Sequence, residues 1–313
     1  MAQSSPGTPV LRIGSRGSPL ALAQAREVRS QIAAVCAFDA AHIEIKVIRT
    51  TGDAITDRPL LEAGGKGLFT KEIEEALLSG AIDLAVHSSK DMTAVLPPGL
   101  TLAAFLPRED VRDAFISSKA KTLRELPQGA VIGTASLRRQ ALVKRVRPDL
   151  SVVPLRGNVE TRLRKLEAGA ADATVLAVAG LKRLGLLRAA ASLLDIDEFL
   201  PAVGQGAIGI EIRADDARAS AVAARIDDRD TATALAAERA FLAVLDGSCR
   251  TPLAGHARVA GESVTFRGMI AKPDGSAAIE VVRKGPRQQA AELGADAARE
   301  LKATAGPDFI RRL

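Results

Sequence analysis

Val131-Ile-Gly-Thr-Ala-Ser-Leu-Arg-Arg139 runs from a short β-branched stretch, through small polar residues, into two arginines. A strand ending at Gly133 and a helix opening at Ser136 account for each position. Val and Ile suit a buried strand, Gly permits a tight turn, and Ser caps a helix. The arrangement recurs: residues 152–155 lead into Arg156-Gly-Asn158 and a helix, and residues 174–178 lead to Gly180 and a helix with Lys182-Arg183. Such β–α alternation predicts a mostly parallel sheet that meets its ligand at the carboxyl ends of the strands. Three adjacent strand ends present arginine. The helix N-termini there already favour anions through free backbone N–H groups and the helix dipole.

Upstream, residues 10–14 read as a strand and residues 19–35 as a helix, with Ser18 as N-cap and Pro19 in the first helical position. Residues 42–49 read as a strand and residues 50–67 as a long loop. Phe69, Ile73, Ala76 and Leu77 fall at helical spacing, and Gly80 is the stop. Residues 82–86 form a short buried strand that delivers His87-Ser-Ser-Lys-Asp91 at its end. After Pro97-Pro98-Gly99, strands begin near Leu100 and Ala114. Pro201-Ala-Val-Gly-Gln-Gly206 reads as a hinge before a strand at 207–212. The chain then changes character: a helix over 231–245, strands at 253–260, 263–271 and 277–284, and a last helix from Arg287 predict a small α+β domain.

Lys and Arg number 43 against 37 Asp and Glu. Between Arg138 and Arg183 there are eleven basic and four acidic residues, more than the whole-chain excess. An anionic ligand is therefore expected on that stretch, and guanidinium forks suit carboxylates. Nucleic acid is the rival anion. With no Trp or Tyr and eight Phe, the chain has little on which bases could stack, and no nucleic-acid-binding motif is recognised. No phosphate-binding G-x-x-x-x-G-K-[ST] loop occurs either. The N-terminus lacks a secretory pattern, and no apolar run is long enough to span a bilayer. Two cysteines and three scattered histidines give neither a disulfide framework nor a metal site. A cytoplasmic protein without metal is the expectation.

Two residues stand out chemically. Asp91 lies beside Lys90 at a strand end, where a carboxylate should stay ionised; it could stabilise a developing cation or pass protons, or merely form a structural ion pair. Cys249, in Asp246-Gly-Ser-Cys-Arg-Thr-Pro252, has small polar neighbours and Arg250, which favours the thiolate. Cys36, at the tail of an apolar helix, reads as a core filler.

Together these stretches resemble the hydroxymethylbilane synthase (porphobilinogen deaminase) family. The matches are Ser15-Arg-Gly-Ser-Pro-Leu-Ala-Leu22, Gly64-Gly-Lys-Gly-Leu-Phe69, Ala85-Val-His-Ser-Ser-Lys-Asp91 and Arg108-Glu-Asp110. Further on come Gly133-Thr-Ala-Ser-Leu-Arg-Arg-Gln140, Leu155-Arg-Gly-Asn158, Leu176-Ala-Val-Ala-Gly-Leu-Lys-Arg183, Pro201-Ala-Val-Gly-Gln-Gly206 and Gly247-Ser-Cys249. The resemblance implies an α/β fold of two doubly wound, periplasmic-binding-protein-like domains plus a small α+β C-terminal domain. Domain 1 would take residues 1–106 and 207–226, domain 2 residues 107–206, and domain 3 residues 227–313.

It implies, too, the head-to-tail condensation of four porphobilinogen molecules into hydroxymethylbilane, primed by a dipyrromethane held by thioether to Cys249. Asp91 resembles the catalytic carboxylate, which handles protons at the pyrrole nitrogens and stabilises the azafulvenium cation left when ammonia departs. Arg16, Arg138, Arg139, Arg156, Arg162 and Arg183 resemble the arginines that hold acetate and propionate groups. Ser18, Lys66, Lys90, Thr134 and Ser136 resemble supporting donors, Phe69 a lid residue, and 50–67 the family's mobile lid. A monomer that passes its product to uroporphyrinogen-III synthase, with no nucleic-acid or membrane partner, is implied as well. Glu62, Ala135 and Ser89 depart from the commoner family pattern. The competing reading is a non-catalytic cytosolic clamp for an anionic metabolite, which would not explain a cysteine set in a separate domain.

Overall fold

The computed structural model describes residues 11–54, 67–245 and 252–311. The chain lays down β1 (Leu11–Ser15), α1 (Pro19–Cys36), β2 (Ile43–Val47), α2 (Thr51–Ala54), α3 (Lys71–Leu78), β3 (Leu84–Ser88) and β4 (Leu100–Phe105). It then crosses to β5 (Asp113–Ser117), β6 (Val131–Gly133), α4 (Leu137–Val146), β7 (Ser151–Val153), α5 (Val159–Glu167), β8 (Ala173–Ala177), α6 (Val178–Arg183) and β9 (Ser192–Leu193). It returns through β10 (Ile208–Arg213) and α7 (Ala217–Ala224). The last part is α8 (Arg229–Val244), β11 (Leu253–Ala260), β12 (Ser263–Ala271), β13 (Ala278–Pro286) and α9 (Ala290–Arg311).

Among the described residues the strands form three sheets, ordered β2-β1-β3-β10-β4, β7-β6-β8-β5-β9 and β11-β12-β13. The first two share one plan, giving two doubly wound α/β lobes. Pairs β1–β2, β1–β3, β6–β7 and β6–β8 are parallel as expected. β10 and β5 run antiparallel to their neighbours, which the β–α alternation did not predict. Each enters its sheet directly from the other lobe. No same-sheet crossover helix therefore imposes the parallel, right-handed geometry.

Local signals account for much of this. In α1, Gln24, Ala25, Val28 and Ile32 are buried at helical spacing, and the Ser18 hydroxyl accepts from the Ala21 N–H at 3.3 Å. The loop expected over 50–67 begins with the helical turn α2; residues 55–66 lie outside the described part. Helix α7, absent from the sequence reading, is started by Asp216, whose carboxylate accepts from the Ala219 N–H at 2.8 Å.

The third sheet is an antiparallel meander covered by α8 and α9. Gly294 is required there, since a Cβ would lie 1.9 Å from the Ala237 carbonyl oxygen on α8.

The two chain crossings run side by side. Glu109 N–H donates to the Gly206 carbonyl at 3.2 Å, and Arg108 Nε to the Gln205 carbonyl at 3.0 Å. Glu238 of α8 ties them to the third sheet. Fully buried, it accepts from Arg108 Nη1 and Nη2 at 2.6 and 3.0 Å, from Gly204 N–H at 2.7 Å and from Ala257 N–H at 2.8 Å. Glu238→Gln keeps the shape but loses the charge assistance of those bonds. Its expected cost is about 1.5–3 kcal/mol of unfolding free energy, read by urea titration; no measurable loss would mean that the junction does not depend on this carboxylate.

Candidate active site

β3 ends in a tight 3-10 turn, Ser89–Asp91. The returning crossing brackets it, with Ser89 N–H donating to the Ala207 carbonyl at 3.0 Å. Gly204 (φ +74°) packs so closely on this turn that a Cβ would sit 2.8 Å from the Lys90 nitrogen. Both Lys90 and Asp91 remain exposed on this turn.

The second lobe supplies the opposing wall. Ser136 caps α4, accepting from Arg139 N–H at 3.4 Å, and Thr134 Oγ1 accepts from Ser136 N–H at 3.2 Å. Asn158 caps α5, accepting from Thr161 N–H at 2.8 Å. Gly157 (φ +120°) precedes it, where a Cβ would come 2.6 Å from Thr161 Cγ2. Arg162 Nε donates back to the Gly157 carbonyl at 2.8 Å, and Lys165 Nζ to the Arg156 carbonyl at 3.1 Å.

Arg138 and Arg139 are buried and share Asp113, which is fully enclosed. Arg138 Nη2 reaches one oxygen at 2.6 Å and Arg139 Nη2 the other at 2.8 Å. Arg138 Nη1 also donates to the Leu200 carbonyl, and Gln205 Nε2 donates to Asp113 at 3.0 Å. Arg183 donates to Glu27 of α1 at 3.1 Å and to the Gly206 carbonyl at 3.4 and 3.3 Å, so it spans both lobes. Arg16 is paired with Asp53, and its guanidinium lies 4.1 Å from the centre of the Phe69 ring. Lys66, Cys249 and Glu62 fall outside the described residues.

The electrostatics show which of these groups share a space. Surrounding protein and then Arg139 pull the Lys90 ammonium down to about 8, against Asp91 and Asp113. Enclosure, and repulsion from Arg139 and Arg156, pull Arg162 down to about 10, while Asp91 opposes this from the other lobe. The Asp91 charge of the first lobe thus acts on Arg162 of the second, and Arg139 repels both Lys90 and Arg162. An arriving polycarboxylate would relieve that repulsion. Dipyrromethane, with acid arms on both rings, fits this donor set.

A cavity of about 630 Å³ lies elsewhere, lined by the 108–112 crossing, Asp195, Ile196 and His256–Val259. Apart from the crossing it shares, it holds none of the expected site residues. Among the described residues no His/Cys/Asp/Glu cluster is placed to hold a metal. No helix there is long and apolar enough to cross a membrane.

Two α/β lobes whose charged groups act on one another across the gap, cations in excess, define a two-lobed protein suited to a multiply carboxylated ligand. Residues 11–221 match the family model described as porphobilinogen deaminase, dipyromethane cofactor binding domain, and residues 232–303 match porphobilinogen deaminase, C-terminal domain. The chain belongs to the porphobilinogen deaminase family. It is 63% identical to the porphobilinogen deaminase of Nitrobacter hamburgensis over 98% of both chains. With that of Paracoccus denitrificans it shares 56% identity over 96% of both. Among solved structures, an ABC-transporter periplasmic substrate-binding protein from Coxiella burnetii overlaps 69% of this chain and 92% of its own, at 16% identity and a TM-score of 0.42.

Sequence reasoning passed over Asp53, Asp113, Gln205 and Glu238. Only Glu238 left a readable trace: it falls on the stripe Thr231, Ala234, Leu235, Glu238, Phe241 that α8 buries. An acid on an apolar stripe needs a buried partner.

Proposed function

We propose that this cleft performs the family's transferase reaction, joining four porphobilinogen molecules head to tail into hydroxymethylbilane. Each joining makes one carbon–carbon bond and releases one ammonia, and one water supplies the hydroxyl of the product as the finished four-ring chain is freed. The observation that carries the reading is Asp91 set among Lys90, Arg139 and Arg162, with groups from both lobes acting on one another. A clamp without chemistry would need the cations but not a carboxylate whose charge opposes them.

In this reading Lys90, Arg139 and Arg156 hold carboxylate arms of the pyrrole chain, backed by Thr134, Ser136 and Arg138. Arg16, Ser18, Lys66, Phe69, Arg162 and Arg183 serve the incoming substrate. When bound, the dipyrromethane supplies the pyrrole carbon from which the chain grows, and Cys249 is the residue that holds it. Asp91 faces the positive charge that develops on porphobilinogen as ammonia leaves, and it takes up or returns the pyrrole N–H proton. We assign the chain to three domains, one for each sheet: 1–106 with 207–226, 107–206 and 227–313. We further read the protein as a cytoplasmic monomer that passes its product to uroporphyrinogen-III synthase.

Intact-mass analysis tests this directly. Protein from cells that make porphobilinogen should carry an added mass of two linked pyrroles, and Cys249→Ser should not. Unmodified wild-type mass would overturn the assignment.

A further inference from the structure

We propose that Asp53 is a positioning residue for Arg16, holding its guanidinium side-on so that the outer edge stays turned toward a substrate carboxylate. The inference rests on the reading of Arg16 as a substrate-arm residue. Arg16 Nε donates to Asp53 Oδ2 at 3.2 Å and Nη2 to Oδ1 at 2.5 Å. A guanidinium carries five N–H groups in a fixed fork. Asp53 takes the Nε–Nη2 side, and the Phe69 ring, 4.1 Å away, covers one face. The Nη1–Nη2 end remains, and among the described residues nothing accepts a hydrogen bond from Nη1. That end is a second two-pronged donor, matched to a carboxylate.

Asp53 is itself held. Thr50 Oγ1 donates to its Oδ2 at 2.8 Å. Burial works against its charge, but the bonds from Arg16 and Thr50 outweigh it and keep Asp53 below the usual carboxylate range. The backbone between them is constrained as well. Gly52 N–H donates to the Leu68 carbonyl at 2.7 Å, and a Cβ on Gly52 would lie 2.4 Å from the Phe69 ring. Asp53, Arg16 and Phe69 thus form one assembly with no room for slack. Its effect is to spare the substrate the cost of ordering a long, rotamer-rich side chain. Because Asp53 also offsets the charge of Arg16, the pair selects its ligand by fork geometry more than by net attraction.

The test compares porphobilinogen kinetics of wild type, Asp53→Asn, Arg16→Ala and the double variant. Asp53→Asn should raise KM about five- to tenfold, with kcat within about twofold and an unchanged melting temperature. In the Arg16→Ala background the same change should add nothing. Should Asp53→Asn not fold, Thr50→Val, which removes only the supporting hydroxyl, should raise KM about twofold. An unchanged or lowered KM, a fall in kcat alone, or an effect that persists without Arg16 would overturn the inference. If Arg16→Ala raises KM while Asp53→Asn leaves it flat, this inference alone fails. Absence of hydroxymethylbilane from the wild-type chain sinks the functional reading and this one with it.

Discussion

Asp91→Ala should lower kcat by about 10²–10⁴-fold while the pyrrole primer stays on the chain and KM for porphobilinogen changes little. The size follows from the role. A carboxylate facing a cation that exists only as ammonia leaves contributes to the transition state, and loses that contribution when truncated. Binding should persist because the groups proposed to hold the acid arms are separate side chains: Arg139 and Arg162 sit on α4 and α5 of the other lobe, and Lys90 precedes Asp91 in the turn. Single-turnover quench measurements with mass analysis of the protein read both halves. A variant keeping more than a tenth of wild-type turnover would remove Asp91 from the chemistry. Loss of the primer would make it a loading residue instead.

Asp113→Ala carries the largest expected cost in stability, about 3–5 kcal/mol by urea unfolding. Two buried guanidiniums converge on this one carboxylate, and truncation leaves both charges uncompensated. Burial alone would push the Asp113 carboxyl up, but Arg138 and Arg139 prevail and hold it far below the usual range. A carboxylate whose folded pKa is depressed stabilises fully above its unfolded pKa of about 4 and loses that contribution as pH falls toward the folded value. Wild type should therefore lose stability below about pH 4, and Asp113→Ala should lose less over the same window. A cost under about 1 kcal/mol would show that the guanidiniums find other partners.

What the sequence disclosed and what it hid divide along a physical line. Ser18 and Asn158 were readable as caps, and Ser136 as a helix start, because an N-cap bonds a backbone N–H only three residues on. The position of Asp91 was readable because a short apolar run ended just before it. Asp113 meets its arginines across 25 and 26 residues, and Asp53 meets Arg16 across 37. No local period encodes such pairings. The antiparallel runs of β5 and β10 were equally hidden, since direction depends on which lobe the chain has just left. Arg138 shows a finer limit: its basic character was plain, but its burial against Asp113 and the Leu200 carbonyl was not.

The packing of Gly204 against the Lys90 backbone reaches beyond its own neighbourhood. That crossing joins one lobe to the other, and it rests on the turn carrying Asp91, the acid proposed to react, with no room for a Cβ between them. A shift of this crossing should therefore be felt at Asp91, which would couple the lobe junction to the proposed reaction centre. Attempts to retune how many rings the cleft admits should therefore act on its rims, because a side chain at Gly204 should displace the Asp91 turn before it enlarged the room.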